Sequence, residues 1–332
     1  MFVVILPGIL GSELNVSAGF PWPSRRIWPD PFALALGDLA LLQLGPDGDS
    51  PGPLAQGLKA SAGAPMPYVY GPMALALGTL GHTVIQVGWD WRKDLLAQGA
   101  VVWNLVAQLA GSQGIAVVGH SAGGLVAIAA LKAAGSAGAQ IERIITLGTP
   151  WYGSWSTARL WWRQSQTYRG LRQLCGWRHA PRQGPLWLDA TVATWPALYE
   201  LMPFAASGPL SVQYPDQVGL IYGQPWYLSD QANPYVSANW LTVAPATQAQ
   251  LNPFTPHGIV RSIIGVGTPT VSAIASPYGR VGPPPSYLYE NGDGTVTVAQ
   301  GAPGGVQTAA VPYTHDLLPL APEVIALVAG FL

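Results

Sequence analysis

Charge is scarce in this chain. Asp, Glu, Lys and Arg make up 9% of its 332 residues, against about 25% in an average protein. The 15 basic and 16 acidic groups leave a net charge of −1. No global field draws such a chain to nucleic acid or to an acidic surface, so no nucleic-acid partner is expected. Cysteine is scarcer still: Cys175 stands alone, which excludes an internal disulfide and leaves the compartment open. Uninterrupted apolar runs long enough for a membrane span are missing too. Lys132 breaks the stretch after Ser121, and Pro322 and Glu323 break the C-terminal one. The run Phe2 to Leu6 follows Met1 with no basic lead-in and no long apolar core. No signal peptide is expected, and the chain reads as intracellular or as a mature form whose leader has been removed.

Apolar residues, by contrast, reach 49%, with 40 glycines and 32 prolines. Short Val- and Ile-rich runs at Phe2 to Leu6, Thr83 to Val87, Ile115 to Val118 and Ile144 to Leu147 are bounded by Gly or Pro, as strands buried on both faces would be. Helical spacing falls between them, at Leu95 to Leu109 and at Gly124 to Ala134, the latter stopped by Gly135. The alternation predicts an α/β fold built on a mostly parallel sheet with helices on both faces. Gly45 to Pro67 reads as a long surface loop. After Pro150 the texture changes. Seven of the 14 tryptophans fall between Trp151 and Trp195, and six arginines with no acidic residue fall between Arg159 and Arg182. The buried-strand pattern resumes at Val260 to Val266, so a core of residues 1–154 and 251–332 is expected, split by an inserted cap or lid over 155–250.

Val117-Val118-Gly119-His120-Ser121-Ala122-Gly123-Gly124 reads as a strand running into a serine that opens a helix, the GxSxG pattern of a nucleophile elbow. A serine hydroxyl is a weak nucleophile and needs a base, an acid to orient that base, and donors for the developing oxyanion. On such a core the order is Ser, acid, His. Of the downstream histidines, His179 lies in the Arg-rich segment and His257 precedes a strand, whereas His315 sits in a loop before the last helix and is taken as the base. Asp293, set between Gly292 and Gly294, is the leading acid, although Asn291-Gly292-Asp293-Gly294 also reads as an ordinary hairpin turn. Asp230 and Glu290 are weaker candidates, and Asp316 is too near His315 in sequence to face it. The loop Pro7-Gly8-Ile9-Leu10-Gly11 follows the first strand, so Ile9 and Ala122 are the expected amide donors of an oxyanion hole. No metal and no cofactor are required.

Together these pieces resemble the lecithin:cholesterol acyltransferase family of α/β hydrolases, which includes lysosomal phospholipases and bacterial lipase-like members. The matching segments are Leu6 to Leu14, Trp28-Pro29 with Gly37-Asp38-Leu39, Trp89-Asp90-Trp91-Arg92, Gly119 to Gly124, Leu147 to Ser154, Tyr199 to Pro203 and Tyr289 to Val296, in family order. The resemblance implies an α/β-hydrolase fold, a Ser121–Asp293–His315 triad, an oxyanion hole at Ile9 and Ala122, and a structural role for Asp90 and Arg92. It departs at Ile9, where eukaryotic relatives carry a polar or thiol side chain, and near Trp22 to Trp28, where no cysteine can pin a lid.

The activity expected is that of a serine esterase or lipase acting on hydrophobic or lipid esters, with Leu10, Trp151 and Trp155 contacting substrate. Transfer of the acyl group to an alcohol, polyester depolymerisation, and a silent binding protein on a hydrolase core are the rival readings. Trp interleaved with Arg can meet a lipid surface; equally, the indoles can pack on the sheet while the arginines are solvated.

Overall fold

The structure is a computed structural model that describes residues 1–17, 19, 23–161, 163, 165–175, 187–203, 220–221, 224–225, 235–251, 258–275 and 286–332. In chain order its strands are β1 (Phe2–Leu6), β2 (Ser12–Ser17), β3 (Arg25–Trp28), β4 (Lys59–Pro65), β5 (Thr83–Gln86), β6 (Ile115–His120), β7 (Ile141–Leu147), β8 (Leu220–Ile221), β9 (Gln224–Pro225), β10 (Val260–Gly265), β11 (Thr268–Ala275), β12 (Ser286–Gly292) and β13 (Gln307–Val311). Six of them form one sheet in the order β13-β10-β7-β6-β1-β5. Every pairing in it is parallel.

The alternation of side chains along these strands divides the core in two. Phe2, Val4 and Leu6 of β1, with Ile115 and Val117 of β6, face one cluster; Val3, Ile5, Ala116 and Val118 face the other. A period of two with both faces apolar is why each run reads as continuous hydrophobic sequence. Of the first helices, α1 (Pro31–Ala35), α2 (Pro67–Thr79), α3 (Leu95–Ala110) and α4 (Ala122–Ala134), the last two cover the first face through Val102, Val106, Leu125 and Ile128. The second is covered by α2, through Tyr70, Met73 and Leu77, and by the helix Pro322–Phe331, through Val324 and Val328. The Asp94 carboxylate caps α3 by accepting from the Ala97 amide at 2.7 Å. The expected strands and both expected helices are present within a few residues of their predicted ends.

Two expectations need correction. Gly45 to Pro67 is not all loop: β4 lies within it and pairs antiparallel with β2, which pairs in turn with β3. Lys59–Pro65 carries Ala, Ser and Gly but no branched or aromatic residue, so its strand comes from the ladder to β2 rather than from propensity. Second, Lys132 does not end the apolar helical run. The stretch Ala122–Gln140 is long and apolar enough to cross a membrane by length and composition. Its first part, α4, is buried from Ala122 to Ala130, as a core helix would be.

Asp90 and Arg92 form a buried, two-pronged ion pair, Nε to Oδ1 at 2.8 Å and Nη2 to Oδ2 at 2.5 Å. Arg92 Nη1 and the Trp195 indole both donate to the Leu42 carbonyl, at 2.9 and 3.0 Å. The pair thus ties the WDWR segment to two distant stretches of chain, the structural role expected of it. Arg92→Ala would strand the Asp90 carboxylate, and a loss of about 3–5 kcal/mol is expected, read as a lower denaturant midpoint at unchanged slope.

Among the described residues, the chain between Leu147 and Val260 adds no strand to the main sheet. Its described parts include the helices Trp155–Trp161, Gln166–Cys175, Trp187–Val192, Pro196–Glu200 and Ala238–Leu251. Trp155, Trp187 and Trp195 are buried in the first hydrophobic cluster. Asp189, just beyond the Arg-rich run, accepts from Arg163 at 2.9 Å and from the Tyr168 hydroxyl at 2.7 Å. Trp162, Trp177, Arg178 and Arg182 lie outside the described residues.

Candidate active site

Ser121 is the single residue between β6 and α4, at φ 54° and ψ −129°. For a non-glycine residue that backbone is strained by roughly 1–3 kcal/mol. The turn is held from both sides: the Ser121 amide donates to the Leu147 carbonyl at 2.8 Å, and Thr149 Oγ1 donates to the Ser121 carbonyl at 2.9 Å. A Cβ on Gly119 would stand 2.5 Å from the Gly124 nitrogen, and one on Gly123 would stand 2.5 Å from the Pro7 carbonyl oxygen. Only hydrogen fits where strand and helix cross this closely. The serine therefore sits at the C-terminal edge of a parallel sheet and at the positive end of a helix.

The candidate acid and base, Asp293 and His315, come from loops after β12 and β13. Asp293 Oδ1 accepts from the amides of Thr295 at 2.8 Å and Val296 at 2.7 Å, while Oδ2 accepts from His315 Nδ1–H at 2.7 Å. The His315 amide also donates to the Asp293 carbonyl at 2.9 Å, so the two loops are joined by backbone as well as side chain. Asn291-Gly292-Asp293-Gly294 does make a turn at the end of β12, yet its carboxylate is buried rather than solvated. Burial pushes the Asp293 carboxyl up, but the charge of His315, its ring hydrogen bond and the two amides outweigh this and hold it below the usual carboxylate range. Burial lowers His315; the Asp293 charge and hydrogen bond outweigh that and raise it above 6.5. Among the described residues no hydrogen bond joins Ser121 Oγ to His315. His120, the chain neighbour of Ser121, has its ring centroid 5.0 Å from that of His315.

Of the other candidates, Asp316 is exposed and Glu290 lies within β12, three residues before Asp293. His179, His257 and Asp230 lie outside the described residues.

The Pro7–Gly11 loop crosses directly over the elbow. A Cβ on Gly8 would stand 2.9 Å from Ser121 Cβ. Leu10 takes a positive φ of 63°, and the Gly11 amide closes the turn onto the Gly8 carbonyl at 3.0 Å. Two indoles pin the loop: Trp89 Nε1 donates to the Pro7 carbonyl and Trp28 Nε1 to the Leu10 carbonyl, each at 2.8 Å. Ile9 and Leu10 are half-buried at this loop, whereas Trp151 and Trp155 are wholly enclosed. Sequence reasoning missed Trp89 and Trp28 as supports of this loop, and it missed Tyr70 and His120. The signal for the tryptophans was their place in matched segments; for Tyr70 there was none, because it is one apolar position among many on α2. Among the described residues no group of three His, Cys, Asp or Glu side chains is placed to hold a metal ion.

Gly148 borders the Asp293–His315 pair. At φ 59°, a Cβ there would stand 2.9 Å from Asp293 Oδ2 and 3.0 Å from His315 Nδ1. Gly148→Ala is expected to lower stability by about 1–3 kcal/mol through backbone strain and overpacking. It should also lower kcat more than it raises KM, and steady-state kinetics with a short p-nitrophenyl ester checks the split.

Residues 101–174 match the family model of the PGAP1-like alpha/beta domain. No curated protein sequence matches the chain. Among solved structures it is similar to one determined as the Tle4-Tli4 complex, with 15% identity, 100% of this chain and 98% of that chain covered, and a TM-score of 0.61. It is also similar to the mature form of the Bacillus licheniformis lipase BlEst2, at 14% identity, 99% and 91% coverage and a TM-score of 0.41. A third likeness is to an extracellular alpha/beta-hydrolase from a Paenibacillus species, at 12% identity, 100% and 97% coverage and a TM-score of 0.38. The strand order, the elbow between β6 and α4, and the PGAP1-like match make this an α/β-hydrolase fold.

Proposed function

We propose that the protein is a serine esterase of the lipase type. Ser121 is the nucleophile, His315 the general base, Asp293 the orienting acid, and the amides of Ile9 and Ala122 the oxyanion donors. The observation that carries this reading is the 2.7 Å bond from His315 Nδ1–H to Asp293 Oδ2, together with a serine in the strained backbone of an elbow whose amide is bonded to Leu147, the neighbour of the Gly148 that abuts His315. The bond to Asp293 leaves Nε2 with its lone pair, the form in which an imidazole can take the serine proton. Attack on an ester carbonyl would transfer the Ser121 proton to His315 Nε2 and place negative charge on the carbonyl oxygen. Collapse of the adduct would release the alcohol with that proton and leave an acyl-Ser121. Water, deprotonated in turn by His315, would complete hydrolysis. Ala122 supports the oxyanion assignment by standing at the first position of α4, where an amide has no partner within the helix. Ile9 supports it through the close approach of its loop to Ser121.

For substrate contact we assign the half-buried Leu10, with Trp151 and Trp155 as the enclosed apolar wall behind. We take residues 155–250 as the cap. The burial of Trp155, Trp187 and Trp195 favours indoles that pack on the core over indoles that insert into lipid. The lecithin:cholesterol acyltransferase-like reading rests on the motif series. Hydrolysis is favoured over transfer because water needs no acceptor pocket, whereas an alcohol needs one that excludes water.

A fluorophosphonate probe tests the assignment. It is expected to label the protein at Ser121, because only an activated, reachable serine reacts. Failure to label, with the fold intact, would favour the silent-scaffold reading. Acyl-chain profiling with p-nitrophenyl esters is expected to favour chains longer than acetyl.

A further inference from the structure

Beneath the elbow runs a buried hydrogen-bonded chain that the proposed reaction does not use. The Gly8 amide donates to the Tyr70 hydroxyl oxygen at 3.0 Å. The Tyr70 hydroxyl lies 3.0 Å from His120 Nδ1, and His120 Nε2 lies 3.1 Å from the His315 carbonyl oxygen. Tyr70 and His120 are both buried.

The ends of the chain fix its polarity. A carbonyl oxygen only accepts, so His120 Nε2 carries a proton. A backbone amide only donates, so the Tyr70 oxygen accepts from Gly8 and its own proton is free to point at His120 Nδ1. That nitrogen must then hold a lone pair, which makes the ring neutral. Burial, and secondarily the neighbouring His315, pull the His120 pKa down to about 3. Burial pushes the Tyr70 phenol up, so it keeps its proton. A protonated His120 would set Nδ1–H against an oxygen already receiving the Gly8 proton, and one hydrogen bond would be lost.

We propose that Tyr70 and His120 are positioning residues: a one-directional strut, Gly8 N–H to Tyr70 O–H to His120 to His315 C=O, that locks the oxyanion loop and the base loop into one register. This rests on the esterase reading of Ser121, Asp293 and His315. The strut joins the residue before Ile9 to the backbone of His315 itself, and the His120 and His315 rings lie 5.0 Å apart at a tilt of 41°. It thus constrains the distance between the oxyanion donors and the base, which each loop alone does not set. Misplacement of such groups by about 1 Å costs on the order of a hundredfold in rate.

Two variants of His120 separate the ends of the strut. His120→Gln places an amide nitrogen near the Nε2 position and keeps the donor to His315. His120→Asn places an oxygen near the Nδ1 position and keeps the acceptor for Tyr70, but loses the donor. We expect Tyr70→Phe to lower kcat for a p-nitrophenyl ester by about ten- to a hundredfold with KM changed by less than about threefold. His120→Gln should retain about tenfold more kcat than His120→Asn. Equal losses in the two His120 variants, or wild-type kcat in Tyr70→Phe, would overturn the strut.

A readout independent of turnover separates this from the esterase reading. Ring ¹⁵N–¹H NMR of the Ser121→Ala protein should show His120 neutral and protonated at Nε2 across about pH 5 to 8. Adding Tyr70→Phe should leave the proton on Nε2, held there by the His315 carbonyl, and shift the Nδ1 resonance, whose lone pair loses its O–H donor. A His120 ring that titrates in that window, or carries its proton on Nδ1, sinks the strut whatever the activity. Absent Ser121-dependent turnover with the expected tautomer would sink the esterase reading and leave the strut standing.

Discussion

Ser121→Ala should abolish ester turnover, with kcat falling by about 10⁴ or more, the scale of nucleophile deletions in serine hydrolases. Residual rate would come from the oxyanion donors acting on attack by water. The fold should survive, because alanine meets the same steric cost as serine at φ 54°. The Oγ makes no hydrogen bond among the described residues, so its removal leaves no buried group stranded. Ser121→Gly sharpens the point. Glycine adopts a positive φ without the Cβ clash, so this variant should be as inactive as Ser121→Ala yet more stable by about 1 kcal/mol, seen as a higher Tm. A more stable dead enzyme is the signature of strain kept for function. Near-normal turnover by Ser121→Ala would remove the assignment.

Much of this site could be read from sequence for a physical reason. An elbow needs small residues at fixed offsets because strand and helix cross within 2.5 Å of where a side chain would begin, as Gly119 and Gly123 show. Buried parallel strands need unbroken Val and Ile, so β1, β6 and β7 announced themselves. What stayed hidden depends on partners far away in the chain. β4 is a strand only because β2 offers it a ladder. The Trp-rich segment after Pro150 has no regular period; its Trp195 is buried against Trp91 and donates to the Leu42 carbonyl, both more than a hundred residues earlier. Tyr70 is 50 residues from His120 and 62 from Gly8; no local pattern marks a tyrosine for such a task.

Asp293 illustrates the same limit from the other side. A Gly-Asp-Gly turn is the same string whether its carboxylate faces water or an imidazole, and only the approach of the β13 loop decides. That makes the acid the most informative position after the nucleophile. With Asp293→Asn, kcat at neutral pH should fall by about 10⁴. The amide can offer Nδ1 an N–H instead of a negative charge, which favours the tautomer with the proton on Nε2, where the base needs its lone pair.

The pH profile separates this from simple loss of structure. In the parent enzyme His315 has its pKa raised above 6.5 by Asp293 against the opposing effect of burial. The neutral, reactive imidazole therefore dominates only above that raised value, and kcat should climb with pH through a midpoint above 6.5. Removing the carboxylate charge deletes the main influence that raises the pKa, leaving only the weaker one of Asp316, while burial remains. The acid limb of the variant should then move to lower pH, even as the plateau drops. Glu290→Gln, which alters a rival carboxylate on β12, should leave midpoint and plateau where they were. An Asp293→Asn enzyme within about tenfold of the parent, or one whose midpoint does not move, would mean that another carboxylate orients the base.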